Sequence, residues 1–433
     1  MLGLPLVGSS LAQMALHVTD TVMVGWYGLV PLAAVVLGAS SFFIVFVVGS
    51  GFAKAVMPMV AAALGREDEA QVRRDTRMGL WLSIGYGIVV IPVFWWSGPI
   101  LLALGQNAEV SAIAQDYMRI VGFGMVPALA VTVLQSYLSA LHRTQVVLWV
   151  TLAAVGLNIA VNWALIFGNW GLPEMGAQGA AFATISTQLL SLVVLCIYAW
   201  ALPELRRFRL FQRFWRPDWP AMRQVWRLGL PIGLTGLAEG GLFQASALMM
   251  GWIGTVELAA HGIALEVAAL TFMLHVGLSS AATIRIARFD GQGDRVALRQ
   301  AAGVAVAISF GVAALSVALF LAVPERIVAL FLDLRKPESA GILAYGAALL
   351  VLAALFQLAD GMQVMALGLL RGVQDTRVPM WLAAVSYWLI GIPASYVLAF
   401  PLDYGGQGLW LGLVVGLFCA AGSLMWRFWR LVR

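Results

Sequence analysis

Charge and cysteine are what this chain has least of. Only 11% of its 433 residues are charged, against 61% hydrophobic, and the mean hydropathy is +0.90. A soluble domain is nearer half apolar and a quarter charged, so the scarcity excludes a water-facing fold. The apolar surface must face lipid. Length by itself suggests about three soluble domains, but no polar stretch is long enough to form one. The two cysteines, Cys196 and Cys419, both fall in apolar stretches, so neither a disulfide framework nor a metal cluster is suggested. His17, His142, His261 and His275 are scattered rather than clustered, so no metal centre is expected, and His261 reads as a buried hydrogen-bonding residue. A His-Glu-x-x-His, a Gly-x-Ser-x-Gly and a Walker loop are all absent. No enzyme and no cofactor are expected. No cleavable signal peptide is expected, because the first apolar run begins at once and is too long. The very short lead before Leu2 reads as a truncated or misassigned start.

What the chain does have is apolar runs of bilayer length. A spanning helix needs about 20 apolar residues, and twelve such runs are predicted. They lie near 2–25, 31–54, 78–101, 116–139, 145–168, 178–201, 225–249, 257–283, 301–323, 341–369, 378–400 and 407–428. The chain also repeats itself. Leu2-Gly3-Leu4-Pro5 returns as Leu228-Gly229-Leu230-Pro231, Val24-Gly25-Trp26-Tyr27-Gly28 as Met250-Gly251-Trp252-Ile253-Gly254, and Leu32-Ala33-Ala34 as Leu258-Ala259-Ala260. Gly176-Ala177-Gln178-Gly179 returns as Gly405-Gly406-Gln407-Gly408. A half-length period in a hydrophobic chain is the signature of a secondary transporter built from two bundles, with the site between the halves. Six helices per repeat is an even number, so both repeats enter from the same side. The expected fold is an all-α polytopic membrane protein. Its 12 transmembrane helices form two parallel-repeat six-helix bundles: an N-lobe over 1–201, a linker over 202–224 and a C-lobe over 225–433.

Arginine and lysine set the orientation. The loops after spans 2, 4, 6, 8 and 10, with the C-terminus, hold 21 of the 26 basic residues. The opposite loops hold Arg326, Arg335 and Lys336. Arg119 lies just inside an outer helix end, and Lys54 is the remaining base. Both termini are therefore expected to be cytoplasmic. The net charge of +5 is a topology signal rather than nucleic-acid affinity. The stretch 202–227 carries seven arginines among Trp, Phe and Pro, and is expected to lie along the anionic inner leaflet. Trp95, Trp96, Trp170 and Trp215 read as interface anchors. Arg143, Arg285, Arg371 and the cluster at 66–77 read first as topology anchors. A second reading makes them lobe-locking partners of Asp68, Asp75, Asp290, Asp294 or Asp375. Pro5 and Pro231 are expected in the first turns of spans 1 and 7, where proline is tolerated, with a hinge role as the alternative.

The informative residues are those that do not belong in lipid: Asp20 in span 1, Glu239 in span 7, Glu266 in span 8 and Asp360 in span 10. A carboxylate at the bilayer centre costs roughly 2.5–3.5 kcal/mol on insertion scales. Such a group holds either a proton or a cation, as a cation-driven transporter requires. The competing reading is a structural carboxylate hydrogen-bonded within a bundle. Lys54, the one candidate base, lies near a helix end where it can snorkel. The acids do not repeat: Asp20 aligns with Ser246, Glu239 with Gln13 and Asp360 with Thr132. The scaffold is duplicated and the charge is not. Asn158 and Asn162 are spaced i, i+4 on one helix face. Two amides there complete a polar pocket around Asp20 or serve as glue between helices.

Taken together, these motifs resemble a known family. Asp20-Thr21-Val22-Met23-Val24-Gly25 with Leu32-Ala33-Ala34 is similar to the first-helix signature of the multidrug and toxic compound extrusion (MATE) transporters. Leu258-Ala259-Ala260-His261, Ala281-Ala282-Thr283-Ile284-Arg285, and Asp360-Gly361-Met362-Gln363 with Gly368-Leu369-Leu370-Arg371-Gly372 match later parts of that pattern. The pairing of Glu239 with Asp360 resembles the NorM-type branch. The resemblance implies an antiporter that exports bulky cationic or amphiphilic drugs in exchange for Na⁺ or H⁺. It implies that Glu239 and Asp360 bind the coupling ion or substrate, and that Asp20, Asn158 and Asn162 form the N-lobe polar site. Phe356 stands where relatives can carry Tyr, and Glu266 where an amide is common, so both belong among the cation- or substrate-binding positions to be located. No metal is implied beyond a transported Na⁺ at Glu239 and Asp360.

The expected mechanism is alternating access by rocking lobes in a monomer. It places the chain in a bacterial inner membrane, with membrane lipids and small-molecule drugs as partners and no nucleic acid. The main alternative is a flippase of a lipid-linked saccharide from the same superfamily. That would favour a cationic cleft, whereas the intramembrane excess here is acidic. A passive channel and a membrane enzyme are the remaining alternatives.

Overall fold

The computed structural model describes residues 3–333, 335 and 339–433. Leu2 of the first repeat and the loop cation Lys336 lie outside the described residues. Twelve long helices account for nearly all of the chain. They are α1 (Gly3–Tyr27), α2 (Leu29–Gly65), α3 (Glu69–Trp95), α4 (Ala108–Ala140), α5 (Thr144–Ile166), α6 (Ala177–Ala201), α7 (Trp219–Ile253), α8 (Thr255–Gln292), α9 (Arg295–Ala322), α10 (Ser339–Gly372), α11 (Arg377–Ala399) and α12 (Gly405–Val432). Each overlays one predicted span, and no strand occurs among the described residues. Ten are long and apolar enough to cross a membrane by length and composition. The other two, α1 and α7, are diluted by the polar residues that make them interesting, Asp20 and Glu239 among them. The chain forms two compact units, Met1–Leu234 and Thr235–Arg433, and α7 runs through the boundary.

The repeated motifs become repeated joints. Gly28 alone connects α1 to α2, and Gly254 alone connects α7 to α8. At each joint the glycine N–H donates to the carbonyl four residues back, Val24 at 3.2 Å and Met250 at 3.2 Å. The Gly-x-Gln-Gly motif opens α6 and α12. Gly176 and Gly405 both take φ of +53°, a left-handed conformation that costs glycine nothing. Three residues on, glycine is again required. A Cβ on Gly179 would lie 2.7 Å from the Leu165 carbonyl of α5, and one on Gly408 would lie 2.5 Å from the Leu398 oxygen of α11. Backbone meets backbone at the same place in both units.

In the first unit, Val35, Phe94, Tyr117, Met118, Leu129 and Ile166 form one core. Phe52, Met59, Met78, Val225, Leu228 and Ile232 form a second, which fastens the start of α7 to α2 and α3. In the second unit α10 is the buried centre. It packs against α8, α9 and α12 around Leu349, Phe356, Trp410, Leu413 and Phe428.

Two helices depart from the sequence expectation. Pro231 does not sit in a first turn but inside α7. The helix starts twelve residues earlier, because Asp218 caps it: its Oδ1 accepts from Ala221 N at 3.2 Å, and Pro220 occupies an early position where its missing N–H costs nothing. Pro5 does lie in the first turn of α1. In α11, residues Val385–Gly391 widen into a π-helical turn. Pro393 has no N–H for the Leu389 carbonyl, and its ring crowds that carbonyl, which disrupts the regular ladder there.

The arginine-rich linker is pinned to the first unit. Phe208 is buried with its ring edge against Tyr137. Trp81 Nε1 donates to Phe214 O at 2.9 Å and Arg77 to Arg213 O at 3.1 Å. Arg74 forms an ion pair with Asp218, donating to it through Nε and, at 3.2 Å, through a terminal nitrogen. This guanidinium holds the Asp218 carboxyl below the usual carboxylate range. Arg143 pairs with Glu204, also in the first unit. In the second unit Asp375 accepts from Arg427 at 2.7 Å and Asp290 pairs with Arg295. The four tryptophans read as interface anchors are all exposed.

Candidate functional site

Each unit holds a polar centre around a buried acid within its helices, and the two are unlike. In the first unit Asp20 of α1 faces α5 and α6. Its Oδ1 accepts from Asn158 Nδ2 at 3.0 Å and from Asn162 Nδ2 at 2.6 Å. Asn162 also donates to Asn158 Oδ1 at 3.1 Å, so the two amides are locked to each other as well as to the acid. The i, i+4 spacing on α5 therefore serves a polar pocket and not only helix–helix glue. Thr184 of α6 supplies a third donor, to Oδ2 at 3.2 Å. No spacing pattern flags Thr184. A helical threonine usually bonds its own preceding turn, and Thr184 does this too, to Ala180 O at 3.1 Å. One hydroxyl proton serves both acceptors. His17, one turn before Asp20, and Tyr117 of α4 lie within electrostatic reach.

In the second unit Asp360 of α10 is 1% exposed, and its Oδ1 has no hydrogen-bond partner among the described residues. Glu239 of α7 interacts with it electrostatically, so two of the three acids predicted in this unit interact. Arg371 lies three turns further along α10, and interacts with Glu239 and with Tyr387 of α11. In the sequence Arg371 reads first as a topology anchor and second as a lobe-locking partner. Its spacing from Asp360, eleven residues, places both on one face of α10 and is the signal that was available.

Glu266 is exposed on α8 and is not among the groups that interact with Asp360. Among the described residues no three His, Cys, Asp or Glu side chains converge in a metal-binding arrangement. Phe356, one turn before Asp360, is a core residue with its ring against Trp410 at 5.4 Å and Phe243 at 6.0 Å. His261 accepts from Trp410 Nε1 at 3.0 Å through Nδ1. Its Nε2 must then carry the proton, which faces Ser246 Oγ at 3.3 Å. It is a satisfied buried histidine, as the sequence suggests.

A sequence model of the MatE family matches residues 5–164 and 231–397. The probable multidrug resistance protein NorM of Rhizobium meliloti (strain 1021) is 48% identical over 432 residues, covering 100% of this chain and 92% of that protein. The protein of the same name from Agrobacterium fabrum (strain C58) is 46% identical, covering 100% and 93%. Among solved structures, the eukaryotic MATE transporter AtDTX14 aligns with a TM-score of 0.86 at 22% identity, covering 98% of this chain and 93% of that one. A MATE in complex with MaL6 aligns at 0.90 and 19% identity, covering 100% and 95%. The chain belongs to the MatE family, and its fold is the twelve-helix fold of those structures.

Proposed function

We propose that this MatE-family chain is a secondary multidrug efflux transporter that exports cationic or amphiphilic compounds in exchange for Na⁺ or H⁺. The observation that carries the reading is Asp360: a buried carboxylate oxygen without a hydrogen-bond partner, beside a second acid. A purely structural carboxylate would be satisfied, as Asp20 is, because leaving a buried acceptor unmade costs the full desolvation of that group. A carboxylate left ready for a cation or proton is the group an ion-driven cycle needs. The relatives named as multidrug resistance proteins supply the direction of the proposal, and the acidic character of both polar centres favours cationic cargo.

The cycle is alternating access. Open to the outside, the deprotonated acids take up the coupling ion, which weakens their attraction for a cationic drug and favours its release. Open to the inside, the ion leaves and drug competes for the freed carboxylates. A membrane potential contributes about 2.3 kcal/mol per charge per 100 mV. Met and aromatic side chains adapt to cargo of varied shape. The protein acts as a monomer in the bacterial inner membrane with both termini cytoplasmic, the arrangement that the arginine asymmetry favours. Reconstituted in liposomes loaded with ethidium, the protein is expected to move the dye when an inward sodium or proton gradient is imposed. Movement that is the same with and without a gradient would contradict the antiport reading and revive the channel.

A further inference from the structure

The start of α7 carries an exposed stripe that the transport cycle does not use. Trp219, Arg223, Trp226 and Arg227 are spaced i, i+4, i+7 and i+8, so they share one helix face. All four are exposed, Trp219 to 69% and Trp226 to 49%. The other face is apolar: Ala221, Val225 and Leu228 are buried in one cluster with Phe52 of α2 and Met78 of α3. Packing within the first unit therefore fixes which way the stripe points. Trp226 is braced by stacking on Phe52, with ring centroids 5.1 Å apart. Arg223 and Arg227 form no ion pair among the described residues.

The arginines of 202–227 read from the sequence as one basic stretch, and the structure divides them. Arg207 pairs with Glu69 at 3.4 Å, and Arg206 lies over the Trp200 ring. Leu205, Phe208 and Leu210 are buried, so the linker backbone is ordered by its own apolar contacts. Behind it Arg77 is buried, and its Nε has no hydrogen-bond partner among the described residues. Arg73, Arg74 and Arg216 add like charge within its electrostatic reach, and Asp218, which also interacts with it, is engaged by Arg74. Guanidinium groups gathered on one side of a fold raise the local potential and favour an anion there.

Three properties select the anion. A guanidinium matches phosphate through two parallel N–H bonds. An exposed indole is favoured at headgroup level, with its apolar body toward the acyl chains and its N–H in the wet layer. The stripe overlaps the start of the span predicted at 225–249, so it stands where α7 enters the bilayer. A soluble phosphate would use the arginines and leave the indoles in water, whereas an anionic phospholipid uses both. We infer that Trp219, Arg223, Trp226 and Arg227, with Arg216 just before them in the chain, form a binding site for the headgroup of an anionic phospholipid. This narrows the lipid contact expected of the whole linker to one face of α7. It requires neither the coupling ion nor the cargo proposed above.

The test is thermal stabilisation of the purified full chain in detergent as phosphatidylglycerol is titrated in, with phosphatidylcholine and glycerol 3-phosphate as separate titrants. Wild type is compared with the double variant Arg223→Gln/Arg227→Gln, with Trp219→Ala, and with Arg326→Gln/Arg335→Gln. The last removes the same charge from exposed arginines of the second unit. Every substituted side chain is exposed, so the variants are expected to fold. The expected result is saturable stabilisation of wild type by phosphatidylglycerol and by neither other titrant. The midpoint rises about tenfold or more in Arg223→Gln/Arg227→Gln, the scale of losing charge-assisted hydrogen bonds. It rises also in Trp219→Ala and stays at the wild-type value in Arg326→Gln/Arg335→Gln. A wild-type midpoint in Arg223→Gln/Arg227→Gln would overturn the site. An equal loss in both double variants would reduce it to a net-charge effect and overturn it as well. Equal stabilisation by glycerol 3-phosphate, with no loss in Trp219→Ala, would overturn the lipid assignment in favour of a free phosphate. A dimer in light scattering without added lipid, dissolved by Arg223→Gln/Arg227→Gln, would show that a second copy covers the stripe and would overturn the lipid assignment too.

Discussion

Asp20 accepts three side-chain hydrogen bonds and, among the described residues, Asp360 Oδ1 accepts none. That difference gives opposite predictions for two changes of similar size. Asn162→Ala removes the shorter amide bond to Asp20 and also the bond to Asn158. A hydrogen bond to a charged group is worth about 1.5–3 kcal/mol, so this variant is expected to lose roughly that much stability, measured as a lower unfolding temperature in detergent. Asp360→Asn replaces a buried carboxylate whose Oδ1 has no hydrogen-bond partner among the described residues. It is expected to leave the unfolding temperature unchanged or raise it while abolishing coupled transport, the trade between function and stability that a strained site shows. A large drop in the stability of Asp360→Asn would mean that the carboxylate is structural. The first-unit centre was largely legible in the sequence, because an acid in lipid is conspicuous and two amides at i, i+4 share a face. Thr184 was not, since a helical hydroxyl has a local acceptor in every case. In the second unit the acids were legible and their surroundings were not. Arg371 looks like any arginine at a helix end, and Tyr387 lies in a π-helical turn whose geometry no hydrophobic period encodes.

At the scale of elements, three features can be broken separately. The Asp218–Arg74 pair ties the linker and the cap of α7 to α3. Because the folded carboxyl titrates below its ordinary range, its contribution is present above that range and is lost only as pH falls through the depressed value. Asp218→Asn is therefore expected to speed hydrogen exchange across 202–218 relative to wild type throughout pH 5–8, with the difference vanishing only in strong acid. A difference that grew on acidification would contradict the assignment. Gly408→Ala forces a Cβ against the Leu398 carbonyl, a backbone atom that cannot swing away. Overpacking of this kind costs typically about 1–3 kcal/mol, read as lost folded yield on size-exclusion chromatography, whereas alanine at Gly422, where a Cβ meets nothing, is expected to be silent. Pro393→Ala restores an N–H to the Leu389 carbonyl and should let the π turn relax toward α-helix. It is expected to slow hydrogen exchange across 385–391 relative to wild type, and unchanged exchange there would mean that Pro393 does not set the turn. The helix count and the repeated joints were readable, since apolar length and glycine motifs encode them directly. The start of α7 was misplaced because the apolar run begins later than the cap: Asp218-Trp219-Pro220 is a helix start written in an arginine-rich stretch.

For the whole molecule, duplication has preserved the joints and let the polar centres diverge. Gly28 and Gly254, and Gly179 and Gly408, do the same work in both units. Asp20 with its amides and Asp360 with Glu239 do not resemble each other in partners or burial. The account assigns ion coupling to the second unit and leaves Asp20, already satisfied by three donors, to hold its helices and meet cargo. The direct test is ethidium transport by reconstituted protein under a sodium gradient alone and under a pH gradient alone, in wild type, Asp360→Asn and Asp20→Asn. The account predicts wild-type movement driven by the ion gradient, complete loss of that drive in Asp360→Asn, and a retained ion dependence with weakened dye transport in Asp20→Asn. Gradient-driven transport that survives in Asp360→Asn and disappears in Asp20→Asn would contradict it.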